Sequence, residues 1–169
     1  MENSIALEVS SKHKLNDTWI LWAHLPHDTD WTLKSYKKIS NVSTVEEAIA
    51  LCETIPEKMT KNCMLFLMRD GILPTWEDEK NIDGGSFSYK INNKYVPESW
   101  KTLFYNVVGE SISNNIEFLK GVNGITISPK KNFCILKIWM SSCKYQNPDL
   151  IKINDLSKQS CLFKKHNSN

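Results

Sequence analysis

The clearest structural signal in the chain is the stretch 63–81, with the sequence CMLFLMRDGILPTWEDEKN. Its first six residues form an apolar run of strand length, Arg69 follows, and Asp70-Gly71 is a typical turn pair that ends the strand. A polar loop follows, in which Trp76 stands beside Glu77. The stretch therefore predicts a buried β-strand that leads into an exposed loop carrying an aromatic and an acidic side chain.

Further strands are predicted on both sides by short runs rich in β-branched and aromatic residues, at 18–24, 36–42, 84–91, 124–128 and 133–140. Apolar residues at helical spacing predict helices at 45–55 and 98–108. Pro148, with Asn147 as a cap, predicts the start of a third helix at 148–156. Ser43 and Glu46 have the spacing of a capping box at the start of the first helix. Short connections favour antiparallel pairing, so we expect an α+β fold in which about three helices cover one face of a curved sheet.

Composition excludes several classes of protein. The 169 residues are 41% hydrophobic and 24% charged with a net charge of +2, which excludes wholesale disorder and gives no global mark of a nucleic-acid binder. The sequence has no apolar run of membrane-spanning length and does not begin like a signal peptide. Five cysteines without a C-x-x-C pair argue against a disulfide framework or a zinc site. We expect a cytoplasmic protein with a flexible arm at 1–14, one domain at 15–165 and a frayed tail at 166–169.

The loop pair Trp76-Glu77 is the first candidate for a binding site. An indole offers a stacking plane, and a carboxylate can accept two parallel hydrogen bonds from the N1–H and N2–H groups of guanine. The alternative is that Trp76 packs on the sheet edge and the acids are solvated. Trp31, a large aromatic residue in a polar loop, is either a cover for the core or a second contact residue.

Lysines form the next candidate group. Lys130 and Lys131 lie at a predicted hairpin tip, and Lys137 shares a strand face with Trp139. These lysines are either solvated or aimed at one phosphate-bearing ligand. Glu77 and its acidic neighbours can in principle hold Mg²⁺, but no metal, hydrolase or phosphate-loop motif accompanies them. We therefore expect no catalytic residue, no metal ion and no cofactor.

Taken in order, these features resemble the eukaryotic translation initiation factor 4E family, the messenger-RNA cap-binding proteins. The resemblance runs from about residue 13 to about residue 145, and the block D-G-I-x-P-x-W-E-D-E-K-N at 70–81 is its most specific part. The other matching segments are His13-Lys14-Leu15, Trp19-Ile20-Leu21-Trp22, Trp31, Ser43-Thr44-Val45-Glu46-Glu47, Gly84-Gly85, Trp100, Gly109-Glu110-Ser111 and Ile138-Trp139.

The resemblance implies a curved antiparallel sheet with helices on its convex face and a slot for the cap on its concave face. Trp31 and Trp76 would sandwich 7-methylguanine, Glu77 would bind its Watson–Crick edge, and Trp139 would lie against the N7-methyl group. Lys130 falls where the family has an arginine on the cap phosphates. Two other basic positions of the family fall at Ser86 and Ile135, so Lys131 or Lys137 would have to compensate for them.

The resemblance also implies a binding surface for a partner on the convex face, and this chain departs from the family there. Members bind a Tyr-x-x-x-x-Leu-φ helix of initiation factor 4G or of repressors in an apolar groove. Val45 is kept, but the family's proline, tryptophan and two leucines are replaced by Lys14, Ile49, Lys101 and Tyr105. We expect a monomer that binds capped mRNA to promote translation initiation, without membrane contact, and a 4G-like scaffold partner with an altered motif. The alternatives are a cap-sequestering repressor with the same slot and a metal-dependent cap-processing enzyme.

Overall fold

The computed structural model describes residues 11–168. These residues form seven strands and four α-helices, joined by loops and single turns of 3₁₀ helix. The strands are β1 (Lys14–His24), β2 (Tyr36–Thr44), β3 (Met64–Arg69), β4 (Gly85–Asn92), β5 (Val122–Pro129), β6 (Phe133–Met140) and β7 (Cys161–Lys165). The helices are α1 (Val45–Thr54), α2 (Glu57–Asn62), α3 (Val96–Val108) and α4 (Ile116–Lys120).

All seven strands belong to one sheet with the order β2-β1-β3-β5-β6-β4-β7. Every neighbouring pair is antiparallel. The sheet does not close on itself, so β2 and β7 are its edge strands. The expected α+β fold with a curved antiparallel sheet is confirmed.

Side chains of β3 show how the sheet separates two layers. Leu65 and Leu67 point into the main core, which is shared with the helices and contains Trp19, Trp100 and Phe104. The alternate residues belong to a smaller cluster on the opposite, concave face, formed by Phe66, Met68, Ile72 and Trp139 with Trp22, Tyr36 and Met64 packed against it. This alternation follows from the two-residue period of a strand. One face of the sheet thus carries the helices, and the other remains open for a ligand.

Arg69, the single arginine of the chain, ties the end of β3 to its surroundings. Its guanidinium group lies 4.4 Å from the centre of the Trp19 ring and forms ion pairs with Asp17 and Glu110. The same group donates to the carbonyl oxygens of Val122 at 2.6 Å and Leu119 at 3.0 Å. The guanidinium group of Arg69 is therefore fully engaged in contacts within the protein and lies away from the slot on the concave face.

Two details of the helices correct the sequence-based prediction. The N-cap of α1 is Thr44, whose hydroxyl accepts from the amide of Glu47 at 3.2 Å, so the capping pair lies one residue later than Ser43 and Glu46. The predicted third helix at 148–156 is wrong, because only Pro148–Leu150 form a 3₁₀ turn. Residues 151–153 after it are not helical, with Ile151 and Ile153 buried two residues apart, and a turn follows at 154–156.

The predicted arm and the predicted tail of the chain are each described in part. Of the predicted flexible arm at 1–14, residues 1–10 lie outside the described residues, whereas His13 is bound to α1 through the amide of Val45 at 2.8 Å and the carboxylate of Glu46 at 2.6 Å. Asn169 of the predicted frayed tail also lies outside the described residues. His166, the first residue of the predicted tail, makes three hydrogen bonds. Within residues 11–168, no helix combines the length and apolarity needed to cross a membrane.

Candidate nucleotide-binding site

Two adjoining cavities open on the concave face of the sheet, and they share Trp76 and Trp139. The first, here called the aromatic cavity, has a volume of about 300 Å³ and is lined by Trp31, Tyr36, Met64, Phe66, Pro74, Thr75, Trp76, Glu77 and Trp139. The second, here called the basic cavity, has a volume of about 220 Å³ and is lined by Trp76, Ser86, Ser88, Lys137, Trp139, Lys164, Lys165 and His166. A flat aromatic group and an anionic group of one ligand can therefore occupy neighbouring spaces.

Trp31 is the exposed aromatic side chain on one side of the aromatic cavity. Its side chain is 57% exposed, although it is large and apolar. One ring face lies flat on His24, with 3.9 Å between the ring centres and 3° between the planes. The buried His24 is itself fixed, because its Nε2–H donates to the carbonyl oxygen of Asp30 at 2.8 Å. Trp31 thus has a supported face, and much of its indole surface remains accessible to a ligand.

Trp76 lies on the loop between β3 and β4 and is 43% exposed. Near the start of the loop lies Gly71, whose φ of 83° is in the left-handed region that glycine adopts without strain. The carboxylate of Asp78 accepts from the amides of Leu73 at 3.0 Å and Lys80 at 2.8 Å. An acidic side chain that accepts hydrogen bonds from nearby backbone amides stabilises a compact turn, and this turn holds Trp76 at the cavity.

Asn81 holds the same loop from inside the protein. Its side chain is fully buried, and its amide nitrogen donates to the carbonyl oxygens of Leu73 at 3.1 Å and Thr75 at 2.9 Å. Its amide oxygen accepts from Asn123 at 2.9 Å. One side chain therefore connects the loop on both sides of Pro74 to strand β5, directly before Trp76.

Glu77 places its carboxylate at the aromatic cavity beside Trp76. The residue is exposed, and no donor within residues 11–168 forms a hydrogen bond or ion pair with the carboxylate. Its negative charge and the burial of the phenol together raise the pKa of Tyr36, with burial as the larger cause. The carboxylate of Glu77 can therefore accept two hydrogen bonds from a ligand, next to an exposed indole.

Trp139 forms the wall between the two cavities. It is 8% exposed, and its indole N–H donates to the hydroxyl of Thr126 at 3.2 Å. This bond fixes the ring, so Trp139 can offer an edge or a face to a ligand but cannot move far. Among the described residues, no group of three or more His, Cys, Asp or Glu side chains is arranged to hold a metal ion.

The lysines divide between the basic cavity and the hairpin. Lys137 lines the cavity, and its pKa is lowered by burial and, to a smaller extent, by the positive charges of Lys130 and Lys164. Lys130 therefore lies close enough to affect Lys137, although it does not line the cavity. Lys131 lies at the exposed hairpin tip and lines neither cavity.

Strand β7 supplies residues that sequence analysis did not assign to the site. Lys164 and His166 both line the basic cavity, although His166 was assigned to a frayed tail. The signal was present in the alternation of 161–166, where Cys161 and Phe163 pack against the core and the residues between them do not. An alternation of six residues is too short to identify a strand without the neighbouring β4.

The convex surface shows a local cluster at the predicted partner-binding residues. Val45 and Ile49 are 40% and 48% exposed on α1. Nearby, Lys101 and Tyr105 of α3 both bind the carboxylate of Glu53, at 3.3 Å and 3.0 Å. These hydrogen bonds, from Tyr105 first and Lys101 second, lower the pKa of Glu53. Polar groups bonded to one another thus lie beside the two exposed apolar residues.

The open antiparallel sheet, with helices on one face and an aromatic slot on the other, is an architecture found among solved structures. Ascaris suum eIF4E-3, solved with an m7G cap, has a TM-score of 0.77 at 19% identity over 94% of each chain. Caenorhabditis elegans eIF4E-3, solved with the 4E-binding protein Mextli and a cap analog, has a TM-score of 0.72 at 22% identity over 83% of this chain and 79% of that one. At these identities the similarity establishes the fold class.

Comparison of the sequence identifies the family, which the structural similarity alone does not. The family described as eukaryotic initiation factor 4E matches residues 14–168, so this chain belongs to that family. The eukaryotic translation initiation factor 4E of Eremothecium gossypii is 31% identical over 139 residues, which are 79% of this chain and 64% of that protein. The eukaryotic translation initiation factor 4E homolog of Acanthamoeba polyphaga mimivirus is 25% identical over 68% of this chain and 50% of that protein. The chain thus matches only about half to two thirds of the length of these curated relatives.

Proposed function

We propose that this protein binds the 7-methylguanosine 5′ cap of mRNA and promotes translation initiation in the cytoplasm. The observation that carries the proposal is the aromatic cavity, in which two exposed indoles, Trp31 and Trp76, accompany the carboxylate of Glu77, which has no partner among residues 11–168. Family membership and the names of the relatives support the same function.

The chemistry of the cap fits these groups. Methylation at N7 makes the purine cationic, and a cation between indole faces gains up to about 2 kcal/mol when it is desolvated. Stacking adds about 1–3 kcal/mol per base. Glu77 would accept hydrogen bonds from N1–H and N2–H, and the positive charge of the base strengthens both bonds. Trp139 would lie against the methyl group, and the phosphates would extend into the basic cavity.

Binding selectivity tests this proposal directly. Tryptophan fluorescence should be quenched by 7-methyl-GTP with at least tenfold higher affinity than by GTP, because GTP lacks the charge that the indoles stabilise. A tenfold ratio corresponds to about 1.4 kcal/mol. Equal affinity for the two nucleotides would contradict the proposal.

The role of Glu77 is tested with a matched control in the same loop. The variant Glu77→Ala should lose retention on a 7-methyl-GTP resin and keep its melting curve, because the exposed carboxylate has no partner in the described protein. Glu79→Ala removes another carboxylate two residues away and should bind like the wild type. Retention by Glu77→Ala together with a normal melting curve would remove Glu77 from the site.

A second candidate, a cap-sequestering repressor, is favoured by one observation on the convex surface. The cluster of Lys101, Tyr105 and Glu53 lies beside Val45 and Ile49, where family members bind their partner helix. Covering Lys101 with an apolar peptide requires desolvation of its charge, which is costly. A protein with an intact slot and a weakened partner surface would occupy caps without recruiting a scaffold.

Peptide binding and translation assays separate the two functions. A Tyr-x-x-x-x-Leu-φ peptide should bind this protein at least tenfold more weakly than it binds an ordinary family member, measured by calorimetry. Equal affinity would refute our interpretation of Ile49 and Lys101. In an extract depleted of its own cap-binding factor, restoration of cap-dependent translation supports the initiation function, and inhibition of an undepleted extract without restoration supports the repressor.

A further inference from the structure

Strand β7 lies beside the basic cavity in a defined register. Ser86 of β4 pairs with Trp139 of β6 on one side and with Lys164 of β7 on the other. Residues that face each other directly in antiparallel strands point to the same side of the sheet. Trp139, Ser86 and Lys164 therefore form one row across the concave face.

The neighbouring residues of β7 confirm this orientation. Phe163 packs against Phe87 of the main core, with 5.0 Å between the ring centres. Since successive residues of a strand point to opposite faces, Lys164 points to the concave side. Strands β4 and β7 also approach each other closely at Gly85. A Cβ atom added there would lie only 2.6 Å from the carbonyl oxygen of Lys164.

His166 fixes the end of β7 against the slot. Its Nδ1–H donates to the carbonyl oxygen of Asn81 at 2.7 Å, which leaves Nε2 of the neutral ring to accept from the hydroxyl of Ser86 at 2.6 Å. Its amide also donates to the carbonyl oxygen of Gly84 at 3.0 Å. Asn81 belongs to the loop that carries Trp76, so β7 and the aromatic cavity are held in one arrangement.

The positive charges at this end of the slot are not compensated by the part of the chain that the structure describes. Four lysines contribute, two from β7, one from β6 and one from the β5–β6 hairpin: Lys164, Lys165, Lys137 and Lys130. Across residues 11–168, no carboxylate lies within ion-pair distance of any of them. Lysine ammonium groups act as point charges toward phosphate, and a bound anion would relieve their mutual repulsion.

We propose that Lys164 binds the phosphate groups of the nucleotide whose base occupies the aromatic cavity. Lys164 of β7 would thus replace the basic side chain that the family has at the position of Ser86. This inference rests on the proposed function, because it takes the base to be 7-methylguanine. It assigns part of the phosphate affinity to the last strand of the chain. Lys164 is an exposed residue of an edge strand, so its substitution leaves the core intact.

The experiment separates base affinity from phosphate affinity. Fluorescence titrations with 7-methylguanosine, 7-methyl-GMP and 7-methyl-GTP are compared for the wild type, Lys164→Gln, Lys164→Arg and Lys58→Gln. Lys58 is an exposed lysine on α2, on the opposite side of the sheet, so Lys58→Gln controls for the change in net charge. Melting curves verify that each variant is folded.

The expected result is a loss confined to the phosphates. Lys164→Gln should bind 7-methyl-GTP about fivefold to tenfold more weakly with a shallower salt dependence, and should bind 7-methylguanosine within about twofold of the wild type. Lys164→Arg and Lys58→Gln should both stay within about twofold for 7-methyl-GTP.

Other results have distinct meanings. An unchanged affinity of Lys164→Gln for 7-methyl-GTP would overturn the role of Lys164 and leave the proposed function standing. If the wild type binds GTP as well as 7-methyl-GTP and Lys164→Gln weakens both, the proposed function fails and Lys164 remains a phosphate-binding residue. If the wild type binds none of the nucleotides, both proposals fail.

Discussion

Replacing Asn81 with alanine should destabilise the protein and weaken ligand binding together. The side chain is fully buried and takes part in three hydrogen bonds, to the carbonyl oxygens of Leu73 and Thr75 and from the amide of Asn123. Alanine can make none of them. The two carbonyl oxygens each lose a donor, and the Asn123 amide keeps only its bond to Lys80 at 2.7 Å.

The magnitude follows from these three bonds. Leaving a buried polar group without a partner costs about 1–3 kcal/mol. The lower value applies here, because the carbonyl oxygen of Thr75 also accepts from the amide of Asp78 at 3.3 Å and the cavity left by Asn81 can admit water. The total is about 3 kcal/mol, which for a chain of this length lowers the melting temperature by about 6–12 °C.

Two assays check the prediction. Denaturant unfolding measures the loss of stability, and a titration with 7-methyl-GTP measures binding, which should weaken by about tenfold if the binding-competent loop falls to about a tenth of the population. Asn62→Ala is the control, because Asn62 is exposed and makes one local bond to the carbonyl oxygen of Lys58. Its stability should change by no more than about 0.5 kcal/mol. A melting temperature of Asn81→Ala within about 2 °C of the control would refute the energetic reasoning, and unchanged affinity would show that Asn81 does not hold Trp76.

Two further predictions concern charged and titrating groups. Arg69→Lys should lower the free energy of unfolding by about 2–4 kcal/mol, because lysine cannot replace the bonds that the guanidinium makes to two carbonyl oxygens and two carboxylates; chemical denaturation measures this loss, and a change below about 1 kcal/mol would contradict it. Burial, together with the charge of Lys137, lowers the pKa of His166 despite the bond to Asn81, so the folded protein disfavours the charged ring. The stability that the neutral ring contributes is complete above 6.5, the ordinary pKa of a histidine in the unfolded chain, and is lost as the pH falls through the lower pKa of the folded protein. The stability advantage of the wild type over His166→Asn should therefore shrink between about pH 7.5 and about pH 5, and a constant difference in unfolding experiments would contradict this reasoning.

The sequence was most informative where a pattern is local. The apolar run before Asp70 predicted β3, and the block 70–81 identified the loop that presents Trp76 and Glu77. Trp31 could be placed opposite them only through the family resemblance, because sequence spacing does not reveal which loops meet across a sheet.

The errors have physical causes. Asn147 and Pro148 have the pattern of a helix start, and Asn147 does cap the 3₁₀ turn. However, Ile151 and Ile153 are buried two residues apart, and the amide of Lys152 bonds to the carbonyl oxygen of Ile112 at 2.7 Å. Tertiary contacts of this kind override local propensity. The capping pair was misplaced by one residue because the segment 43–47, STVEE, satisfies the pattern in either register.

The contribution of β7 was missed for a different reason. Its role depends on a register with β4 that joins residues about 80 positions apart, such as Ser86 and His166. No local pattern encodes that register. The fold class and Lys137 were thus predictable, whereas the lysines that β7 adds to the basic cavity were not.

The open sheet has a consequence for self-association. Each edge strand presents backbone groups that an added strand from a second copy could pair with, which is a common route to aggregation. Two adjacent lysines lie on each edge strand, Lys37 and Lys38 on β2 and Lys164 and Lys165 on β7. A strand docking there would bring positive charges together and bury them. The ammonium group proposed to bind phosphate therefore also protects the edge of the sheet, and its neutralisation would favour fibrous or edge-to-edge assembly at high concentration.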